Sequence, residues 1–408
     1  MNVIRQDARN KPIVVVVTAH GRQELEYVAG DRLIDVLIRH QIPWSAVSVY
    51  SVAESGSPPV LAACLGSRIA DYPAKELLLY FNRNVNPFTF LVDRLKLAGE
   101  PPPASPATEY IYQAYDNTRS SVDVYLKTLT PEECRVIIVD RVREVVVAAL
   151  PSGGDLVVGV SGGGDSNALL YALANAQHEN LTIHPVIIKG IPDWDAGVDR
   201  AAEICRTYGL TLTIIEEPEV KDLLGMTHGA PSLLDRFERE FPGDDFEFLG
   251  TLLIRLALSR HAQKVGTPYI TTGLNLEDVL CEALYRLSNG LPPASYPQRV
   301  IGDTTLVFPL WLCPKRIIDG CFPRASWENY EARYPCFSVG RNLYYSAIYS
   351  IQSAFPGLVE HLVKGIAEVS RANPVTYKID QQLGFHVERF VPLALARKFG
   401  RMVSGAAV

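Results

Sequence analysis

The sequence predicts an open α/β fold, a doubly wound parallel sheet, preceded by a smaller α+β domain. Three observations lead to this prediction. From residue 155 to residue 287, apolar strands alternate with helical segments, and a glycine-rich loop separates the first of these strands from its helix. A proline-rich stretch at 101–106 sets this region apart from a first segment in which two strands, a helix and further short strands follow one another. Alternation of strand and helix is typical of parallel strands joined by crossover helices.

The first domain, residues 1–95, is predicted from short extended segments around one helix. Residues 13–18 form an unbroken, mostly β-branched run, and a turn then leads into a second extended segment. A helix is predicted over 32–41, because apolar residues recur there at helical spacing. Strand-like runs follow at 46–52, 60–65 and 76–81. This order is that of a β-grasp, or ubiquitin-like, domain, and a generic small α+β domain is the alternative.

The proline-rich stretch indicates a linker, which we place at residues 96–130. After it, Thr130-Pro131-Glu132-Glu133 has the pattern of a capping box with proline at the first helical position, and it predicts a helix to about Ala149. The α/β domain is expected over 131–370. Residues 371–408 form a basic C-terminal segment, which is read either as a phosphate-contacting tail or as a solvated helix face.

The α/β domain is predicted element by element from the apolar pattern and from glycine and proline breaks. The predicted strands lie at 156–160, 182–188, 210–215 and 268–272. The predicted helices lie at 166–176, 196–208, 248–265 and 277–287.

The loop Ser161-Gly162-Gly163-Gly164-Asp165-Ser166 joins the first of these strands to its helix. Its glycines let the backbone approach a phosphate, the helix amides that follow favour negative charge, and its two serines add hydroxyl donors. Asp165 places a carboxylate where a phosphate-bridging Mg²⁺ would lie, since Mg²⁺ prefers oxygen ligands. The loop lacks the lysine and the spacing of a Walker A motif. The sequence therefore predicts a nucleotide-phosphate site of another kind.

A strand, the pattern SGGxDS and a helix in succession resemble the PP-loop (N-type ATP pyrophosphatase) superfamily, whose sheet is HUP-like. The resemblance implies that ATP is cleaved to AMP and pyrophosphate while a substrate oxygen attacks the α-phosphate. A nitrogen or sulfur nucleophile then displaces AMP. It also implies that the backbone at the end of the second strand, at Ile188 and Lys189, brackets the adenine.

A closer resemblance, over about residues 135–370, is to the branch of tRNA 2-thiouridine and 2-thiocytidine synthetases. The segment Thr272-Gly273-Leu274-Asn275-Leu276-Glu277-Asp278 is similar to that branch's second loop, which assigns Gly273 and Asn275 to nucleotide binding. Asp278 is assigned to Mg²⁺ or pyrophosphate, with helix capping as the alternative. Cys336 is similar to the branch's late cysteine, and it is either a nucleophile or a buried small side chain.

The departures from this branch bear on the reaction. Thiolating members commonly have a CxxC before a glycine-led helix, and Phe246 and Leu249 stand at those two positions here. Nitrogen chemistry needs no cluster, so an adenylating ligase is favoured over a sulfur transferase. A non-catalytic nucleotide-binding protein is the third hypothesis, and the intact loop with Asp165 disfavours it. The expected cofactors are ATP and Mg²⁺.

Composition limits the partners and the compartment. A net charge of −6 disfavours a nucleic-acid binder that uses its whole surface, although a local patch can still contact tRNA. The seven cysteines are an odd number without close pairing, which disfavours a disulfide framework, and the absence of CxxC disfavours zinc ribbons. We expect a cytoplasmic protein without a membrane segment. Its acceptor is a small molecule or tRNA, and its first domain is a candidate docking site for a protein.

Overall fold

The fold was determined as a computed structural model. It describes residues 12–18, 21–40, 47–54, 60–61, 67–81, 108–114, 123–190, 195–224, 226, 232–241, 246–322, 344–345, 347–348, 351, 357–380, 385–388, 398 and 400–402. The chain divides into two compact units, Met1–Pro131 with Pro323–Leu358, and Glu132–Phe322 with Val359–Val408. The predicted boundaries at 95, 130 and 370 stay predictions.

The first unit contains a five-stranded sheet around one helix. Its strands are β1 (Ile13–Thr18), β2 (Gly21–Leu25), β3 (Val47–Val52), β4 (Val60–Leu61) and β5 (Glu76–Phe81), and its helix is α1 (Leu33–Arg39). The strand order is β2-β1-β5-β3-β4, with β1 and β5 parallel and the other pairs antiparallel. Leu33, Val36 and Leu37 of α1 are fully buried against this sheet. The elements lie where the sequence places them, and the β-grasp assignment stays a prediction.

Residues predicted as part of a linker contain a β-hairpin. Strands β6 (Thr108–Ala114) and β7 (Asp123–Leu129) pair antiparallel, with Tyr112 opposite Tyr125. Aromatic and β-branched residues favour strands, and this preference explains the pairing. The proline-rich stretch before it, 101–106, lies outside the described residues.

The second unit begins with α2 (Pro131–Ala149), which starts and ends where the capping pattern predicts. Its sheet contains β8 (Gly154–Gly159), β9 (Leu181–Ile188), β10 (Thr213–Ile215), β11 (Tyr269–Thr272), β12 (Gln298–Ile301) and β13 (Thr304–Val307). Its further helices are α3 (Gly164–Asn175), α4 (Val198–Thr207), α5 (Glu217–Leu223), α6 (Leu233–Glu240), α7 (Phe246–Val265), α8 (Leu276–Ser288), α9 (Lys315–Cys321) and α10 (Leu358–Ala372).

The six strands of this sheet follow the order β10-β9-β8-β11-β13-β12. The first five run parallel, and only β12 at the edge is antiparallel to its neighbour. The order moves outward from β8 in both directions, which is the doubly wound arrangement predicted from the sequence. The carboxyl ends of β9, β8, β11 and β13 therefore meet at one edge of the sheet.

The core of the second unit lies between the sheet and its helices. Val157, Ile215, Leu258 and Ile270 are at most 1% exposed, and α7 packs along the sheet. This helix is apolar on most sides because it is covered by both the sheet and neighbouring helices.

A C-terminal hairpin, β14 (Tyr377–Asp380) and β15 (Phe385–Glu388), belongs to the same unit. It is joined to α8 by an ion pair between Arg286 and Glu388, with Nη1 and Oε1 2.5 Å apart and both side chains largely buried. Within the basic C-terminal segment, Arg371 pairs with Glu368 and Arg401 with Glu240. Among the residues that the structure describes, no helix is both long and apolar enough to cross a membrane.

Candidate nucleotide site

The glycine-rich loop, residues 161–166, leaves the carboxyl end of β8 and enters α3 at Gly164. Gly162 has a φ of +70°, a left-handed conformation that side chains rarely adopt. A Cβ atom at Gly162 would also lie 2.9 Å from the Ala201 amide nitrogen and closer still to the Gly197 carbonyl oxygen. The residue must therefore be glycine, because conformation and space both require it.

The two serines of the loop hold its shape. The Ser161 amide donates to the Ser166 hydroxyl over 2.9 Å, and the two hydroxyl oxygens are 3.2 Å apart. Gly163 is the N-cap of α3 and has no side chain to occupy the first helix amides. The Gly163 amide itself points to the Ser161 hydroxyl at 3.4 Å. The backbone N–H groups at the start of this twelve-residue helix therefore lie next to the glycines of the loop.

The segment after β11 packs directly on this loop. A Cβ at Gly273 would lie 3.2 Å from the Asp165 Cβ and 3.4 Å from the Ser166 amide nitrogen, so the absence of a side chain permits the close approach. Two residues further on, the Asn275 side-chain amide donates to the Asp165 carboxylate over 3.1 Å. The first and second predicted loops, 161–166 and 272–278, therefore form one site.

Asn275 and Asp278 also form the capping box that starts α8. The Asn275 side-chain oxygen accepts from the Asp278 amide over 3.1 Å, and the Asp278 carboxylate accepts from the Asn275 amide over 2.9 Å. Helix capping is the role of Asp278 that the sequence analysis names as the alternative to binding Mg²⁺ or pyrophosphate. The Asp278 side chain is half-buried, and its assignment to Mg²⁺ stays a prediction.

A third segment reaches the site from the strand next to β11. Lys315, the first residue of α9, places its ammonium 2.8 Å from each oxygen of the Asp165 carboxylate. The same ammonium lies 3.2 Å from the carboxylate of Asp319, which is fully buried. The sequence analysis gives Lys315 no role at this site, and the structure buries it against Asp165.

Lys315 is fixed through its backbone as well. Its amide donates over 2.8 Å to the carboxylate of Glu277, which is 1% exposed, and the Leu276 amide donates to the Cys313 carbonyl oxygen over 3.2 Å. The start of α8 and the start of α9 are therefore tied together beside Asp165. Glu277 was also missed by sequence reasoning, although a carboxylate next to the paired Asn275 and Asp278 was a visible signal.

The fourth strand end is that of β9. Ile188 is buried, and the Lys189 amide donates to the Ile215 carbonyl oxygen over 2.9 Å. The Lys189 ammonium lies 2.8 Å from Glu216, and this bond raises the pKa of the lysine. Gly190 follows with a φ of +117°. These residues lie at the same edge of the sheet as the loop, and their assignment to adenine stays a prediction.

The side chains present fit a nucleoside triphosphate with Mg²⁺. The glycines of the loop and the N-terminal amides of α3 suit a phosphate chain, and the carboxylate of Asp165 is an oxygen ligand of the type that Mg²⁺ prefers. Among the described residues, no three His, Cys, Asp or Glu side chains are grouped to hold a metal ion. A single protein carboxylate together with substrate phosphates is nevertheless a common way to hold Mg²⁺.

The cysteines in the described part of the chain are Cys134, Cys205, Cys281, Cys313 and Cys321, and all five are buried. Burial raises the pKa of Cys134 and Cys313 to about 12 and that of Cys205 to about 11. It raises the pKa of Cys321 further. Thiols in such surroundings stay protonated and are poor nucleophiles. Cys336, the predicted nucleophile, lies outside the described residues.

No family model matches the chain, and no curated protein sequence matches it either. Among solved structures, the chain is similar to the U34-tRNA thiolase NcsA from Methanococcus maripaludis, solved with its [4Fe-4S] cluster, at 17% identity and a TM-score of 0.50. That similarity covers 64% of this chain and 85% of the thiolase.

Weaker similarity links the chain to an NH3-dependent NAD synthetase from Campylobacter jejuni subsp. jejuni, at 15% identity and a TM-score of 0.35. It covers 62% of this chain and 100% of that one. A glutamine-dependent NAD+ synthetase from Acinetobacter baumannii gives 17% identity and a TM-score of 0.34, over 64% of this chain and 52% of that one.

The second unit has the PP-loop fold, as the sequence motif and the sheet order both indicate. The likeness to the thiolase concerns this fold.

Proposed function

We propose that this protein is an ATP-dependent, AMP-forming enzyme that adenylates a substrate oxygen and then admits a nitrogen nucleophile. One observation supports this most. Asp165 of the glycine-rich loop is contacted by Asn275, which follows the carboxyl end of β11, and by Lys315, which follows the adjacent parallel strand β13 at the start of α9. Open α/β sheets bind ligands at this edge, and here it combines phosphate-binding amides with an acidic group.

The reaction proceeds in two displacements. A carbonyl or carboxylate oxygen of the acceptor attacks the α-phosphorus of ATP, the bond from that phosphorus to the bridging oxygen breaks, and pyrophosphate leaves. A nitrogen nucleophile then attacks the activated carbon, loses a proton, and AMP leaves with the oxygen.

In this scheme the amides of residues 163–166 would hold the phosphate chain, and Asp165 would hold Mg²⁺. When bound there, the metal would neutralise the charge that develops on the leaving pyrophosphate. Asn275 orients the Asp165 carboxylate, and Ile188 and Lys189 border the base. Asp278 fixes the start of α8, with Mg²⁺ binding as its second assigned role.

The protonation of the described thiols favours a nitrogen nucleophile over a sulfur nucleophile. Sulfur transfer through a cysteine needs a thiolate, and burial keeps the thiols of Cys134, Cys205, Cys313 and Cys321 protonated. Phe246 and Leu249 also replace the CxxC of the thiolating branch. The alternative is a sulfur transferase that works through Cys336, and the fold similarity to a tRNA thiolase is the observation that favours it.

The partners follow from the same proposal. The acceptor is a small molecule or a tRNA with an oxygen to activate. The sheet of the first unit, if it is a β-grasp module, is a docking site for a protein partner. We place the enzyme in the cytoplasm.

The experiment that tests the proposal compares AMP and pyrophosphate release by the wild-type chain and by Asp165→Asn. Hydroxylamine serves as the nitrogen nucleophile and a panel of carboxylic acids as acceptors. We expect Asp165→Asn to lower release by about a hundred-fold or more, the usual effect of removing one group that stabilises transition-state charge. The matched control is Asp140→Asn, an exposed aspartate paired with Arg143 on α2. Undiminished pyrophosphate release by Asp165→Asn would refute the mechanism.

A further inference from the structure

The ammonium of Lys315 lies where a nucleotide site needs positive charge. The glycine-rich loop, 161–166, has no basic side chain of its own. Lys315 supplies a cation from a different part of the sequence, and its ammonium lies 2.8 Å from both oxygens of Asp165. The lysine side chain is 9% exposed, so water screens this pair little.

The ammonium is shared between two carboxylates. The ammonium hydrogen-bonds to both oxygens of Asp165, and Asp319 adds a charge contact at 3.2 Å. Asp319 lies one helical turn after Lys315 and is fully buried, so a second carboxylate attracts the ammonium beside Asp165. The Glu277 carboxylate fixes the lysine backbone at the same time.

Two roles of Asp165 then conflict. The proposed function assigns this carboxylate to Mg²⁺, but in the structure it is paired with an ammonium. If the ammonium and Mg²⁺ both contacted this half-buried carboxylate, positive charge would be in excess, and a phosphate chain is the group that would offset that excess.

We propose that the Lys315 ammonium exchanges its partner, from the Asp165 carboxylate to the phosphates, when nucleotide binds. This inference rests on the proposed binding of ATP with Mg²⁺. Without nucleotide, the Lys315 ammonium neutralises Asp165 and competes with Mg²⁺ for it. With nucleotide, Asp319 keeps the ammonium in place while its other donors turn from Asp165 to the phosphates that leave as pyrophosphate. Lys315 thus contacts the nucleotide and also sets the Mg²⁺ requirement of the site.

The test measures binding at equilibrium, so that it does not depend on turnover or on the unknown acceptor. The probe is α,β-methylene ATP, titrated into the full chain by calorimetry at a series of Mg²⁺ concentrations. Lys315→Met alone leaves Asp165 and the buried Asp319 without their cation, and such a change can prevent folding. The informative variant is therefore Lys315→Met with Asp319→Asn, which removes both charges of the buried pair. Lys315→Arg keeps the charge, and Lys264→Met, an exposed lysine of α7, is the matched control.

We expect the double variant to bind the probe about ten- to a hundred-fold more weakly, the usual loss for a charge-assisted hydrogen bond. We expect its half-saturating Mg²⁺ concentration to fall by about three-fold or more, because the competitor for Asp165 is gone. Lys315→Arg should retain most of the affinity. Weaker binding of the probe together with a lower Mg²⁺ requirement distinguishes the exchange from a structural role. A damaged site would bind the probe more weakly and would need more Mg²⁺.

An unchanged or higher Mg²⁺ requirement in the double variant would overturn the exchange, whatever its affinity for the probe. If the wild-type chain binds the probe in that case, the proposed function stands without the inference. If the wild-type chain does not bind the probe at any Mg²⁺ concentration, the proposed function fails and the inference fails with it.

Discussion

Substitution of glycine by alanine at three positions tests how tightly the loop geometry constrains the second unit. Gly290, after α8, has a φ of +71° and open space around its Cα, so Gly290→Ala incurs the left-handed conformation alone, about 1–2 kcal/mol. Gly162 has nearly the same φ but lies against the backbone of Gly197 and Ala201. Overpacking of this kind adds about 1–3 kcal/mol. Gly163 has a φ of −86°, and its alanine would meet only the Ser161 hydroxyl at 3.3 Å.

The assay is scanning calorimetry of the full chain with each single variant. For a unit of this size, 1 kcal/mol corresponds to about 2–4 °C in Tm. We expect Gly162→Ala to lower the Tm about twice as much as Gly290→Ala, and Gly163→Ala to change stability by less than about 1 kcal/mol. Only Gly162→Ala should also weaken binding of α,β-methylene ATP, since only there must the loop move. If Gly162→Ala melts at or above the temperature of Gly290→Ala, the contacts assigned to the loop are wrong.

Two further predictions concern the thiols and the C-terminal hairpin. Iodoacetamide at about pH 8 should leave the five described cysteines of the native chain unlabelled, because they are buried, and mass spectrometry of peptides checks each site. The labelled chain should still form AMP if nitrogen is the nucleophile, whereas loss of AMP formation would favour sulfur transfer through Cys336. Arg286→Leu should lower stability by about 3–5 kcal/mol by leaving Glu388 without its counter-ion, and Glu388→Gln added to it should restore most of the loss. Equal melting temperatures for the single and double variants would contradict this account of the hairpin.

The elements that the sequence predicted best are those with strong local signals. The Thr130-Pro131 pattern predicted the start of α2, and the predicted strand at 182–188 and helix at 277–287 agree with β9 and α8 to within one residue at each end. The pattern around Asp165 identified the loop because glycine, aspartate and serine there are required by local geometry. All of these signals lie within one or two turns of chain.

The missed features depend on weaker or longer-range relations. The β12–β13 hairpin has a two-residue Gly302-Asp303 turn, which is a known hairpin signal, but its strands are short and flanked by prolines. The β6–β7 hairpin was hidden because apolar residues occur on both faces of β6, which leaves no clean alternation. The contact of Lys315 with Asp165 spans 150 residues, and no local pattern can predict a pair at that separation.

The same long separations bear on how the chain acquires its site during synthesis. Asp165 meets Asn275 across 110 residues and Lys315 across 150, so the site is closed by contacts between residues that lie far apart in the sequence. Contacts of this kind form late, because a long loop must be ordered before they are made. A nascent chain that ends before residue 315 would already contain β8 and β11 but would leave the charge of Asp165 exposed. Nucleotide binding would then indicate that the site is fully assembled. A nucleotide added during refolding would stabilise the molecules in which α9 has reached its native position.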